Sequence, residues 1–335
     1  MKQQCILTVP YRSFEQRCGR RPHDGFQVCG EQELVNHSDR PWALHVGSGV
    51  SGDTTAFHSS VQMPKASACL ITAFSAFWVF SAPLSHAGEL CTLVVDAATG
   101  DTVVRSGASC AQRITPASTF KVAISLMGFD SGVLQSSHRP AWPYRDGYPD
   151  WAGDAWKGDI DPAGWMKKSV FWYSQQVVKQ LGQTRFDSYV ASFNYGNQDT
   201  SAVQVQHPEN QGVWVMSSLQ ISPIEQAAFL RKLVNRQLPV SAGAYEMTEE
   251  ITLQEDLNGW RIYGKTGTGS PGQDHKYQAD QAYGWYVGWA RKGAQAMVFV
   301  RLIQDEKAQS PNAGLRARSQ MSEQLLSVTT LNPTR

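Results

Sequence analysis

Ser118-Thr119-Phe120-Lys121 and, far downstream, Tyr263-Gly264-Lys265-Thr266-Gly267-Thr268-Gly269 decide how this chain is read. Pro116 stands where a helix begins, because proline is tolerated in the first turn, where its missing N–H would be unpaired anyway. The spacing predicts a helix from there through Phe129, stopping near Gly132. Residues three apart share a helix face, so the amine of Lys121 can reach the hydroxyl of Ser118. A free serine is a poor nucleophile and needs such a base beside it. The first helical turn also has free N–H groups, which suit a developing oxyanion. By itself S-x-x-K also occurs in many ordinary helices. The second stretch lays a cation, a hydroxyl and several glycines along one strand edge, where backbone can approach an extended anionic ligand. By itself it also reads as a glycine-rich turn after a strand.

Around these two anchors the elements fall into an order. Residues 90–97 and 102–106 read as two strands joined by a turn at Thr99-Gly100-Asp101, a hairpin. Cys91 and Cys110 flank it. Folding back brings them near each other, and the register decides whether they form a disulfide. Residues 136–162 are rich in Pro, Gly, Trp and Asp and read as a long loop region. Helical patterns follow at 165–181 and 184–193. Ser222-Pro223-Ile224-Glu225 is an N-cap serine, a proline at the first helical position and a capping-box glutamate. Strands are expected at 261–265, 282–290 and 295–303, and a closing helix at 313–326. Strands at both ends with helices between them predict an α/β (α+β) fold. In it an antiparallel sheet is built from both ends of the mature chain, and an interleaved helical layer packs on it.

S-x-x-K followed by K-T-G resembles the pair found in β-lactamases and penicillin-binding proteins. Three further elements are similar to those of class D, the oxacillinase-type serine β-lactamases. Ser169-Val170-Phe171 looks like the family's S-x-V and Tyr195-Gly196-Asn197 like its Y-G-N. Trp214, within Gly212-Val213-Trp214-Val215-Met216, resembles the tryptophan beside the family's modified lysine. The likeness spans roughly residues 91–326. Phe171 is a departure, since the family more often has valine there, and its ring is expected to narrow the pocket beside Lys121.

The resemblance implies a set of roles. Ser118 attacks the β-lactam carbonyl. Lys121, carboxylated by carbon dioxide, is the general base, and the indole N–H of Trp214 holds the carbamate, although a tryptophan there reads equally as core packing. Ser169 relays a proton to the leaving nitrogen, with Lys265 near it. The N–H groups of Ser118 and Thr268 form the oxyanion hole. Thr266, Gly267 and either Arg316 or Arg318 receive the substrate carboxylate, with Arg316 preferred. Val170, Phe171, Tyr195, Gly196 and Asn197 shape the site. The neighbours Phe120, Val122, Val170 and Phe171 are apolar, so burial is expected to lower the pKa of Lys121 far enough to leave some neutral amine. The implied fold is the β-lactamase/transpeptidase-like one. The alternative is a β-lactam sensor or penicillin-binding protein, which is acylated but does not turn over.

Composition bounds the rest. The formal charge of the 335 residues is +1, which excludes the strongly basic character of a nucleic-acid binder. With 41% of residues hydrophobic and 10% aromatic, the chain is no disordered segment. The eight histidines form no H-x-x-x-H or H-x-H group, so no metal site is expected. Met63-Pro64-Lys65, the apolar run 66–80 and Ser85-His86-Ala87 describe a secretory signal peptide cleaved before Gly88. That run is shorter than the roughly 20 residues of a membrane span. Residues 1–62 lack hydrophobic periodicity and read as an upstream leader, 63–87 as the signal and 88–335 as one periplasmic domain, monomeric or homodimeric. The partners expected are a small β-lactam substrate, no nucleic acid and no stable membrane insertion.

Overall fold

The strands expected at opposite ends of the sequence lie side by side. The computed structural model describes residues 88–201, 218–271 and 277–331; residues 1–87 and Trp214 lie outside them. Six strands form one sheet: β1 (Gly88–Asp96), β2 (Thr102–Ser106), β5 (Leu253–Leu257), β6 (Trp260–Gly269), β7 (Tyr283–Lys292) and β8 (Gln295–Gln304). Their order is β2-β1-β8-β7-β6-β5, and every neighbouring pair is antiparallel. Two short strands, β3 (Trp142–Pro143) and β4 (Asp159–Ile160), pair within the loop region. The β1–β2 turn is closed by Asp96, whose carboxylate accepts the N–H groups of Ala98 and Thr99, both at 2.9 Å. Cys91 and Cys110 are joined by a disulfide, with Cα atoms 4.9 Å apart.

Side chains alternate across a strand, and each face of this sheet has its own cover. Trp285, Val287 and Trp289 of β7 face one layer together with Val298, Val300 and Leu302 of β8. That layer holds α1 (Lys121–Asp130), α3 (Phe171–Leu181) and α5 (Pro223–Val234). Tyr286, Ala290, Phe299 and Ile303 face the other way, onto Ala317, Met321 and Leu325 of α7 (Ala313–Leu331). Burial on both faces explains why β7 reads as a continuous apolar run rather than an alternating one. The capping box of α5 is formed: Glu225 N–H donates to the Ser222 hydroxyl at 3.3 Å, and the Glu225 carboxylate accepts the Ser222 N–H at 2.9 Å.

Three local features depart from the expected elements. The helix starting at Pro116 opens as a 3-10 turn, Ala117–Phe120, and becomes α-helical only at Lys121. The helix expected over 165–181 is two helices, α2 (Pro162–Lys168) and α3, broken where Ser169 takes a left-handed backbone, φ 58 and ψ 34. Between α4 (Gln183–Phe193) and the last strands lie α5 and an additional helix, α6 (Ala242–Thr252), which leads directly into β5. The buried face of α6 is Ala244, Tyr245, Thr248, Ile251 and Thr252. Two of these are threonines, so apolar periodicity does not reveal the helix. The Thr248 hydroxyl pairs with Ser125 of α1 at 3.1 Å, which satisfies it inside the core.

Candidate active site

Ser118 and Lys121 meet as their spacing predicts. Lys121 Nζ donates to Ser118 Oγ at 3.2 Å. The lysine is fully buried, while Ser118 keeps partial access to solvent. Phe120, Val122, Val170 and Phe171 are all buried as well. Burial holds the Lys121 amine well below the usual lysine range, and the cation of Lys265 pushes it further in the same direction. Just before the serine, Ala117 adopts a φ of 48. A buried residue with a Cβ takes that conformation only when its surroundings impose it, and such strain clusters at functional sites.

Lys265 lies on β6, one strand in from the β5 edge. It is also buried, and its pKa is lowered to about 7 by burial and then by Arg318. Its Nζ donates to the Thr266 carbonyl at 3.0 Å. Among the described residues neither Lys121 nor Lys265 has a carboxylate partner. A buried amine in the field of a second buried lysine, with no counter-ion among the described residues, makes a site that is relieved by an anion.

The end of β6 is shaped to receive an extended ligand. β5 pairs with β6 only over 260–263, so among the described residues 264–269 have no partner strand on that side. An unpaired strand edge offers a row of backbone donors and acceptors. Lys265 and Gly267 are on the buried face and Thr266 and Thr268 on the partly exposed one. A Cβ on Gly267 would sit 3.1 Å from the Pro116 carbonyl and from Thr119, so glycine lets β6 lie against the turn that carries Ser118. The Thr268 hydroxyl accepts the Gly314 N–H at 3.0 Å and pairs with Asn312 at 3.1 Å, which ties β6 to the first turn of α7.

This helix carries both candidate arginines, Arg316 in its first turn and Arg318 in its second. Arg316 is bonded through its guanidinium to Asp305 and to the Pro311 carbonyl. It is thus largely enclosed, whereas a lone arginine in sequence reads as a solvated surface charge. Arg318 donates to Gln254 at 2.9 Å and to Glu255 at 3.4 Å, both on β5. Asp305 carried no sequence signal, because in Gln304-Asp305-Glu306-Lys307 it reads as an exposed charge run. Asn312 could have been found as an N-cap, since its side chain accepts the Leu315 N–H at 3.1 Å.

Ser169 sits at the α2–α3 break, and Val170 and Phe171 open α3. Phe171 packs against Trp151, with ring centroids 4.9 Å apart. Tyr195 is fully buried, its ring 4.8 Å from Phe120, directly behind the Ser118 turn. Asn194 ends α4 in the left-handed conformation. Asn197 is a clip: its N–H donates to the Gln220 carbonyl at 2.9 Å, its amide to the Ser218 carbonyl at 2.7 Å, and its side-chain oxygen accepts the Gln220 N–H at 2.9 Å. Gly196 makes this closeness feasible, since a Cβ there would lie 2.0 Å from the Gln220 carbonyl oxygen.

A sheet with helical cover on both faces, a buried lysine on a partly exposed serine and an open strand edge beside them define a serine enzyme of the penicillin-recognising class. Residues 90–327 match the family described as the penicillin binding protein transpeptidase domain. The chain is 41% identical over 238 residues to Beta-lactamase OXA-9 of Klebsiella pneumoniae, covering 70% of this chain and 86% of that one. It is 34% identical over 243 residues to Beta-lactamase OXA-1 of Escherichia coli, covering 71% and 84%. The crystal structure of OXA-427 class D β-lactamase superposes with a TM-score of 0.64 at 44% identity, covering 70% of this chain and 98% of that one. The chain belongs to the class D β-lactamases within that transpeptidase family.

Proposed function

We propose that this chain hydrolyses the β-lactam ring of penicillins and related antibiotics through an acyl-enzyme on Ser118, and so confers resistance, with N-carboxylated Lys121 as general base. One observation carries the reading: a fully buried amine, 3.2 Å from Ser118 Oγ, whose charged neighbour is another lysine. A neutral amine can add carbon dioxide, and the resulting carbamate is an anion. Beside the Lys265 ammonium this anion is attracted where a protonated Lys121 would be repelled, so the surroundings of Lys121 fit the modified side chain. Bound there, the carbamate supplies a base within reach of the serine proton and, later, of a water proton.

The remaining roles belong to the chain's own groups. Ser118 Oγ attacks the ring carbonyl, and its N–H with that of Thr268 receives the oxyanion. Ser169 passes a proton to the ring nitrogen as the C–N bond breaks. Lys265, Thr266 and Arg316 orient the substrate carboxylate along the open edge of β6. Trp214, which lies outside the described residues, is assigned to hold the carbamate on the likeness of its sequence to the family's motif. The enzyme is assigned to the periplasm on the signal-like pattern of residues 63–87.

Purified protein should hydrolyse a chromogenic cephalosporin, and Ser118→Ala should abolish turnover while leaving the circular dichroism spectrum unchanged. In degassed, mildly acidic buffer the activity should fall, and added bicarbonate should restore it. Full activity without bicarbonate response would make Lys121 a plain amine base. Stoichiometric acylation without turnover would place the chain among the sensors.

A further inference from the structure

Arg316 is the residue assigned above to the substrate carboxylate, and the structure shows what holds it. Its Nη2 is bonded to the carboxylate of Asp305, the residue immediately after β8, and its Nη1 to the carbonyl of Pro311. The Asp305 side chain is 2% exposed and that of Arg316 13%, so this ion pair is largely shut off from water. Asp305 is itself fixed: its N–H donates to the Ala282 carbonyl at 2.8 Å, and Gln309 donates to its carboxylate at 3.3 Å. The Arg316 N–H in turn donates to Asn312 O at 3.2 Å, and Asn312 pairs with Thr268. A chain of bonds therefore runs from the end of β8 through the guanidinium and the first turn of α7 to the end of β6. Arg316 Nε is buried and has no hydrogen-bond partner among the described residues. A guanidinium has five donors in a fixed planar fork, so anchoring one edge fixes the direction of the rest.

We propose that Asp305 is a positioning residue for substrate binding, which fixes the Arg316 guanidinium so that its remaining donors meet the substrate carboxylate at the open edge of β6. The inference rests on the assignment of Arg316 to that carboxylate. Asp305 does not touch substrate. An arginine held beforehand loses little side-chain freedom on binding, whereas a released one must be ordered each time, and that cost appears as weaker binding. The chemistry at Ser118 is not involved, so the effect falls on KM and not on kcat.

The test compares a β-lactam carrying its free carboxylate with the methyl ester of the same compound. Asp305→Ala and Asp305→Asn are measured for KM and kcat on both, with thermal melts to verify folding. If the alanine variant does not fold, the near-isosteric asparagine variant carries the test. The expected result is a KM for the acid raised up to about tenfold, the cost of ordering one long side chain on binding, with kcat within about twofold and the ester unaffected. In an Arg316→Ala background the Asp305 substitution should cause no further rise. An equal loss on acid and ester, an unchanged KM in Asp305 variants, or additivity in the Arg316→Ala background would overturn the inference alone, provided that Arg316→Ala itself separates acid from ester. An Arg316→Ala variant that treats acid and ester alike would overturn the assignment of Arg316 and the inference with it.

Discussion

Replacing Lys265 by methionine tests the electrostatic reading of the site without using catalysis as the readout. The ammonium is buried, and its pKa drops from the ordinary 10.5 to about 7 in the folded chain. Between those two values the unfolded chain binds more protons than the folded one, so stability rises with pH across that window and the full penalty applies below it. Integrated, the penalty is about 4 kcal/mol near pH 7 and about 2 kcal/mol near pH 9. Methionine has a similar length and no charge, so Lys265→Met removes the penalty. It also removes the bond from Nζ to the Thr266 carbonyl, about 1 kcal/mol in the other direction. The net expectation is a variant about 3 kcal/mol more stable than the parent near pH 7 and about 1 kcal/mol more stable near pH 9. In a domain of this size that corresponds to a melting temperature roughly 6–12 °C higher at the lower pH. Urea denaturation of both proteins in bicarbonate-free buffer, with the disulfide intact, measures it. Bicarbonate should narrow the gap, because an anion on Lys121 favours the charged form of Lys265. A variant less stable than the parent near pH 7, or a gap that widens as pH rises, would refute the claim that Lys265 is an unpaired buried cation.

The other predictions concern the frame. Replacing both Cys91 and Cys110 by serine should lower stability by roughly 3 kcal/mol in the chain-entropy account of a short closed loop, read from the urea midpoint; an unchanged midpoint would show that the bond adds nothing. Gly196→Ala puts a Cβ onto the Gln220 carbonyl at a backbone φ of 54, so it should cost at least about 2 kcal/mol and reduce turnover by shifting Tyr195 against Phe120. Wild-type stability in that variant, measured by the same denaturation, would mean that the Asn197 clip has slack. N-terminal sequencing of protein recovered from a periplasmic extract should begin at or near Gly88, and finding residues 1–62 in the mature enzyme would sink that assignment.

Much of the site was legible because its chemistry is local. Ser118 and Lys121 are one helical turn apart, and Lys265, Thr266, Gly267 and Thr268 follow one another on one strand, so spacing alone fixes which groups can act together. The capping box at Ser222 and the β1–β2 hairpin were legible for the same reason: each is specified by residues within a few positions of one another. The break at Ser169 was not, since serine tolerates a helix interior, and only the packing of Val170 and Phe171 into the core forces the chain to turn there. Helix α6 escaped because its buried face relies on threonine hydroxyls satisfied by Ser125 and its own backbone.

Sequence by itself paired Ser118 with Lys121, laid out the K-T-G strand and pointed to the class of enzyme, because these rest on residue identity, short spacing and the order of the motifs. Tertiary structure alone decided that Lys121 and Lys265 are both buried with no counter-ion among the described residues, that Arg316 rather than Arg318 is locked to Asp305, and that Asn197 serves as a clip. Each of these depends on groups brought together across the fold, and the low dielectric that gives such pairs their strength exists only after the core has closed around them.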